Sequence, residues 1–388
     1  MASNILKSSQ FRVLQYNVLA KRYARNMEPW FLYDGLKPEG DDARAQAILA
    51  RHASRTPDGG FAYKGWPSYA EGILTAAEIA AVEARDRRDF PFERRAPRLL
   101  DVIARADADV LSLVECDEYE QHWAPKLREL GYGSRWHKRP KDGAPDGCCL
   151  GFREDRWELI AHRGLSYHEH DRGAILGLLK RRGSGERVVA VSTHLARNPE
   201  SSAQQRLRLR QVAELMRALG EFCKDHALDA AEVPCVVAGD LNAESLEEVT
   251  AVAQAVCGLQ GLDVHPLLFG AADVPSPATS QTLRRKSRID YIMFSDNGLL
   301  TRIDDDATTT APLPEGACIP DPAHPSDHLP VVGRFEFADR QSRAASCARR
   351  VCREVLGEFS PRGARPLLCG EVDLASEAVG RATAAATT

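Results

Sequence analysis

Two hydrophobic rhythms alternate along the chain. Short β-rich runs at Phe11 to Leu19, Val110 to Val114, Cys148 to Phe152, Ala174 to Leu179, Val188 to Thr193, Pro234 to Ala238, Ile289 to Phe294 and Leu329 to Phe337 read as strands. Between them lie stretches with helical spacing. Leu99, Leu100 and Ile103 recur on one face of a segment from Arg94 to Ala106. Tyr119 to Leu130 turns Trp123, Leu127 and Leu130 inward and stops at Gly131. The start signal Asn198-Pro199-Glu200-Ser201 opens a helix whose stripe is Leu209, Val212, Leu215, Met216 and Leu219. Arg206, Arg208, Arg210 and Arg217 read as the solvated face of that helix. Strands interleaved with helices predict an α/β fold.

Two regions break the rhythm. From about Ala20 to Phe92 the chain is rich in Gly, Pro, Asp and Arg, with a helical segment near Ile73 to Arg85, and a connection of that length reads as an insertion or binding loop. Past Ala338 it becomes Arg- and Ala-rich, with a helix expected through Cys347 to Leu356 and a disordered small-residue tail after it.

The strands end on polar groups. Asn17, Glu115 and His194 close three of them, and Asp240 and Asn242 follow the break at Gly239, two residues apart and so on one side of an extended segment. Asp290 sits between large apolar residues, where a carboxylate is costly unless it is paired. His324-Pro325-Ser326-Asp327-His328 leads into the last strand and puts Asp327 and His328 at a sheet end. Alone, Ser-Asp-His is a turn and Glu115 a solvated terminus. Together these residues are carboxylates, carboxamides and imidazoles, with no serine or cysteine elbow. Hard oxygen ligands favour magnesium, or manganese, over zinc. With an imidazole paired to a buried acid they suit attack of water on a phosphate ester.

Composition narrows the reading. The 388 residues, 44% hydrophobic, are enough for one large domain with insertions or for two domains. A formal charge of −4 leaves nucleic-acid contact to a local patch. The ten cysteines form no Cys-x-x-Cys pair, so they read as reduced, mostly buried thiols in a reducing, cytoplasmic setting. No apolar run approaches the length needed to span a membrane, and the first residues lack the apolar core of a secretion signal.

Seven segments in order, Tyr16-Asn17-Val18-Leu19, Leu113-Val114-Glu115, Asp146-Gly147-Cys148, Thr193-His194-Leu195, Gly239-Asp240-Leu241-Asn242, Asp290-Tyr291-Ile292 and Pro325-Ser326-Asp327-His328-Leu329-Pro330, resemble the endonuclease/exonuclease/phosphatase superfamily. Within it they are most similar to the deadenylase branch that includes nocturnin, Angel and deadenylase catalytic subunits. The resemblance implies a DNase I-like four-layer α-β-β-α sandwich over residues 11–337, with the insertion at about 20–92 and the tail 338–388 outside it. It further implies Glu115 as principal magnesium ligand with Asn17 and Asp327 near the metal. His328 would be oriented by Asp290, Asp240 held by Asn242 to position or deprotonate water, and His194 would stabilise the phosphoryl group. Asp240 and His328 are treated as one coupled unit, with the proton acceptor left open.

RNA-specific members carry an aromatic residue shortly before the Asp-Tyr-Ile strand; here Leu283-Arg284-Arg285-Lys286 stands there. These basic residues and Arg197 resemble the nocturnin branch, which removes the 2′-phosphate of NADP(H), whereas Asn198-Pro199 resembles the RNA-degrading members. The expected partner is therefore an RNA 3′ end or an adenine-containing nucleotide. The first reading is a 3′-5′ exoribonuclease, the second an NADP(H) 2′-phosphatase, and the third a non-catalytic binding module with the same fold.

Overall fold

In β1 (Gln10–Asn17), Phe11 and Val13 pack into one core while Leu14 and Tyr16 pack into another, as alternation along a fully buried strand requires. The structure is a computed structural model and describes residues 9–24, 29–33, 42–63, 65–168, 171–199, 201–228, 233–244, 246–258, 264–267, 278–282, 285–295, 299–303 and 319–338.

The first sheet joins β1 to β2 (Val110–Val114), β3 (Tyr132–Lys138), β4 (Gly147–Arg153), β13 (Leu300–Ile303) and β14 (Val331–Phe337), in the order β13-β14-β1-β2-β4-β3. The second contains β5 (Trp157–Ser166), β6 (Gly173–Arg181), β7 (Arg187–His194), β8 (Cys235–Asp240), β9 (Val264–Leu267) and β12 (Asp290–Ser295), in the order β5-β6-β7-β8-β12-β9. A small hairpin pairs β10 (Ser280–Thr282) with β11 (Arg285–Ser287). Among the described pairings only β1/β2 and β7/β8 are parallel, so both sheets are mixed.

Parallel neighbours need a crossover. α3 (Phe92–Ala106) lies between β1 and β2 in the chain, and α5 (Ser202–Asp225) between β7 and β8. Three apolar layers result. Val13, Val110, Leu150, Ile175, Val236 and Ile292 fill the space between the sheets. Leu99, Val102 and Ile103 of α3 cover the outer face of the first sheet, together with α4 (Ala124–Glu129). On the outer face of the second, α5 packs beside α6 (Glu247–Gly258) through Val212, Leu215, Met216 and Val249. The chain is a DNase I-like four-layer α-β-β-α sandwich. Among the described residues no helix is long and apolar enough to cross a membrane.

The segment between β1 and α3 holds α1 (Asp42–Ala53) and α2 (Ala76–Asp89), packed around a core of their own from Phe31, Ile48, Tyr69, Leu74 and Val82. Thr75 and Glu78 form a capping box at the start of α2, which moves that helix C-terminal of the expected Ile73–Arg85. Its Arg85 Nη2 donates to the carbonyl of Pro320, 3.4 Å away, close to the loop that carries Asp327 and His328.

Several expectations are corrected. The 119–130 helix is a π turn over Tyr119–Trp123 followed by α4. Arg208 is buried, and its guanidinium donates to the carbonyls of Ala196, Arg197, Asn198 and Pro199; Arg206, Arg210 and Arg217 are exposed. The expected helix and disordered tail at 338–388 fall, beyond Ala338, outside the described residues.

Candidate active site at the sheet ends

Register brings the polar strand ends together. His194 stands opposite Asp240 in the β7/β8 pair, and Asp290 opposite Asp240 in β8/β12, so three adjacent strands deliver an imidazole and two carboxylates side by side. In the other sheet, Asn17 of β1 pairs with Val114 of β2, one residue before Glu115. Phe11, Val13, Gln15 and Asn17 follow one another on the inner face of β1, so the layer that begins apolar becomes polar at this edge.

Asp240, nearly fully buried, is the hub. Its Oδ2 accepts from Asn17 Nδ2 at 3.2 Å and lies 3.4 Å from His194 Nε2 and 3.8 Å from His328 Nε2. Its Oδ1 accepts from the main-chain N–H of Asn242 at 3.0 Å. Asn242 therefore holds Asp240, but through its backbone. The strand has already ended, Asn242 adopts the left-handed conformation at φ 48°, and its side-chain amide donates to the carbonyl of Leu195 at 3.2 Å. The extended geometry expected for Asp240 and Asn242 is replaced by a tight turn.

His328 Nδ1 donates to Asp290 Oδ2 at 2.7 Å, and Gln15 Nε2 donates to Asp290 Oδ1 at 3.2 Å. Burial alone would lower the imidazole pKa; Asp290, Asp327 and Asp240 outweigh it and raise His328 to about 10. Burial, then Asp290, pushes the Asp240 carboxyl up to about 6, against His328 and the hydrogen bonds from Asn17 and Asn242. Burial, then Arg172 and Arg139, holds His194 well below the usual imidazole range.

Glu115 follows β2 in the left-handed region at φ 62°, a strained conformation for a side chain of this kind, and its Oε2 accepts from the N–H of Ala20 at 3.2 Å. Burial, Asp327 and Asp146 raise its carboxyl to about 7, with Arg172 and His328 opposing. Asp327 is partly exposed beside Ser326, whose hydroxyl donates to the carbonyl of Asn17 at 2.6 Å. Crowded acidic oxygens of this kind fit a hard divalent cation, which would restore the ionised form of Glu115. Asp240, Asp290 and His328 also offer one ligand-type atom each within 4.8 Å of one another, a trio that could hold a metal ion.

The remaining residues singled out in the sequence lie around this cluster. Arg197 is exposed and lines a cavity of about 240 Å³ together with Arg22, Tyr23, Arg139, Lys141 and Asp171. Asn198 is exposed at φ 63°, with its carbonyl held by Arg208. Lys286 is exposed on β11, opposite Gln281, in the hairpin whose Ser280 bridges to His328. Arg285 lies in the same strand, and Arg284 falls outside the described residues.

The sequence reading missed Gln15, Arg95, Arg139 and Arg172. Gln15 had a signal, since it is two residues before Asn17 and shares its face. Arg95 is buried and donates to four carbonyls, of Phe90 at 3.0 Å, Val18 at 3.1 Å, Leu19 at 2.8 Å and Pro325 at 3.1 Å, tying the loop after β1 to the loop before β14. Arg139 lies 3.7 Å from Asp146, which also accepts from the Tyr23 hydroxyl at 2.7 Å.

A model of the Endonuclease/Exonuclease/phosphatase family matches residues 85–328, from the end of α2 through His328. The chain belongs to this family. Human nocturnin is 27% identical over 264 residues, covering 64% of this chain and 59% of that protein. The CCR4-Not complex 3′-5′-exoribonuclease subunit Ccr4 of Kluyveromyces lactis is 25% identical over 322 residues, covering 68% of this chain and 39% of that protein. The family fold extends to the solved structure of ANGEL2, a 2′,3′-cyclic phosphatase, with a TM-score of 0.56 at 18% identity over 84% of this chain and 95% of that one. The chain thus spans well under two thirds of the length of both sequence relatives.

Proposed function

We propose that this member of the family is a magnesium-dependent phosphodiesterase that shortens RNA from the 3′ end, in the manner of a poly(A) deadenylase. The observation that carries the reading is the separation of charge within the cluster. His328, raised to about 10 between Asp290, Asp327 and Asp240, is a cation at neutral pH, while Asp240, at about 6, is mostly an anion. Asp240 then accepts the proton of the attacking water, with Asn17 and Asn242 fixing its orientation. His328, oriented by Asp290, donates toward the phosphoryl oxygens, and His194 does the same from the neighbouring strand. The bond to the leaving nucleotide oxygen breaks as the bond to water oxygen forms. A divalent ion held by Glu115, with Asp327 and Asn17 beside it, would supply further positive charge against the phosphate oxygens.

Relatives named as a 3′-5′-exoribonuclease and as a 2′,3′-cyclic phosphatase support phosphate-ester hydrolysis as the shared chemistry. We assign residues 11–337 as the catalytic domain with an insertion at about 20–92. Cys116, Cys148, Cys149, Cys223 and Cys235 are free and buried, which suits the cytoplasm.

A second reading is hydrolysis of the 2′-phosphate of NADP(H). The cavity lined by Arg22 and Arg197 favours it, because a compact, phosphate-rich nucleotide would meet these two guanidinium groups there, beside Arg139 and Lys141 that Asp171 already pairs. The test is a side-by-side assay with magnesium. A 3′-labelled oligoadenylate should lose residues from its 3′ end faster than NADPH releases inorganic phosphate. The reverse order would replace the first reading by the second, and inactivity on both would remove both.

A further inference from the structure

Arg172 stands immediately before β6, and Gly173, the first residue of that strand, is opposite His194 on β7. The approach there is close. The N–H of Tyr167 donates to the carbonyl of Arg172 at 3.0 Å, and a Cβ on Gly173 would meet the carbonyl oxygen of Leu165 at 2.5 Å. The turn thus directs Arg172 to the same sheet end as the candidate site. Its side chain is buried, and Nη1 lies 3.1 Å from His194 Nδ1 and 3.9 Å from Asp146 Oδ2.

An arginine has five N–H donors and no acceptor, and it keeps its proton in proteins. The ring nitrogen that faces it at hydrogen-bond distance must therefore offer a lone pair. A neutral imidazole has one proton and one lone pair; with the lone pair at Nδ1, the proton is on Nε2. That nitrogen points the other way, 3.4 Å from Asp240 Oδ2. A doubly protonated ring, or the Nδ1–H tautomer, would set two donors against each other in a site that buries both side chains.

We propose that Arg172 is a positioning residue that fixes His194 in the neutral Nε2–H tautomer, aiming its only ring proton at the centre where Asp240 and the substrate phosphate meet. Asp146, itself held by Tyr23 and Arg139, steadies the guanidinium from the other side. The consequence for the reaction rests on the function proposed above; the tautomer itself does not.

The experiment uses the full chain carrying 15N-labelled histidine, with His194 assigned by the signal lost in His194→Gln. The wild-type ring should show a pyrrole-type Nε2 and a pyridine-type Nδ1 in a long-range 1H–15N spectrum. Arg172→Met should move it off that pattern, and Arg172→Lys, which retains one cationic donor, should restore it. With a phosphoester substrate, Arg172→Met should lower kcat roughly 10–100-fold, as loss of a histidine-orienting partner does, with KM little changed. A wild-type ring protonated at Nδ1, or an Arg172→Met ring with the wild-type pattern, overturns the proposal. If Arg172→Met does not fold, the wild-type and Arg172→Lys spectra still decide. Because the ring is read without turnover, an inactive enzyme counts against the proposed function and leaves the tautomer assignment to its own test.

Discussion

Glu115 shows at the scale of one residue why this site costs the fold something. Its carboxyl, raised to about 7 from the ordinary 4.5, is protonated more readily in the folded chain than in the unfolded one. The stabilisation is therefore fully present below the ordinary value and is lost as pH rises through about 7. Glu115→Gln removes the ionisable group while keeping its shape. In thermal unfolding without divalent ions, the variant should melt above the wild type near about pH 8, and the gap should close toward about pH 5. A variant that melts below the wild type at the higher pH would show that the carboxylate is not crowded as described. The types of the strand-end residues were readable from sequence because carboxylates at the ends of apolar strands are conspicuous. Their supports were not. Arg172 lies in a polar turn with no periodicity, and Arg208 sits on a helix among exposed arginines, so only the packing separates a buried guanidinium from a solvated one.

At the scale of elements, the site depends on loops that regular hydrogen bonding does not hold. The loop after β1 passes through Leu19 at φ 53°, and Arg95 gathers its carbonyls together with that of Pro325. A neutral side chain cannot replace these bonds, and hydrogen bonds to a charged group contribute roughly 1.5–3 kcal/mol each. Arg95→Met should cost about 3 kcal/mol or more in urea unfolding, and a loss under about 1 kcal/mol would mean the loops hold themselves. The central strands and the α3 and α5 crossovers were legible because they are apolar on a clear period. The edge strand β5 was not. After the buried Trp157 its exposed and half-buried positions alternate, but a register shift between Leu159 and Ala161 breaks the pairing, and polar residues hold much of the outer face. α1 escaped notice for a related reason, since it packs on the insertion's own core rather than on either sheet.

At the scale of the molecule, two sheets meet face to face with an apolar interior that becomes polar at one edge. Down that interior runs a line of buried polar groups: the Ser112 hydroxyl lies 2.6 Å from Gln15 Oε1 and 2.8 Å from Ser192 Oγ, and Gln15 continues to Asp290. Each sheet thus supports the other's share of the site, with Asn17 and Glu115 from the first and His194, Asp240 and Asp290 from the second. The most direct test is single-turnover hydrolysis of a 3′-labelled oligoadenylate by the wild type, Asp240→Asn and His328→Ala, with folding checked by circular dichroism. The account predicts that both variants keep the fold and lose turnover by at least about 10²-fold. Folded variants that hydrolyse the substrate at the wild-type rate would contradict it.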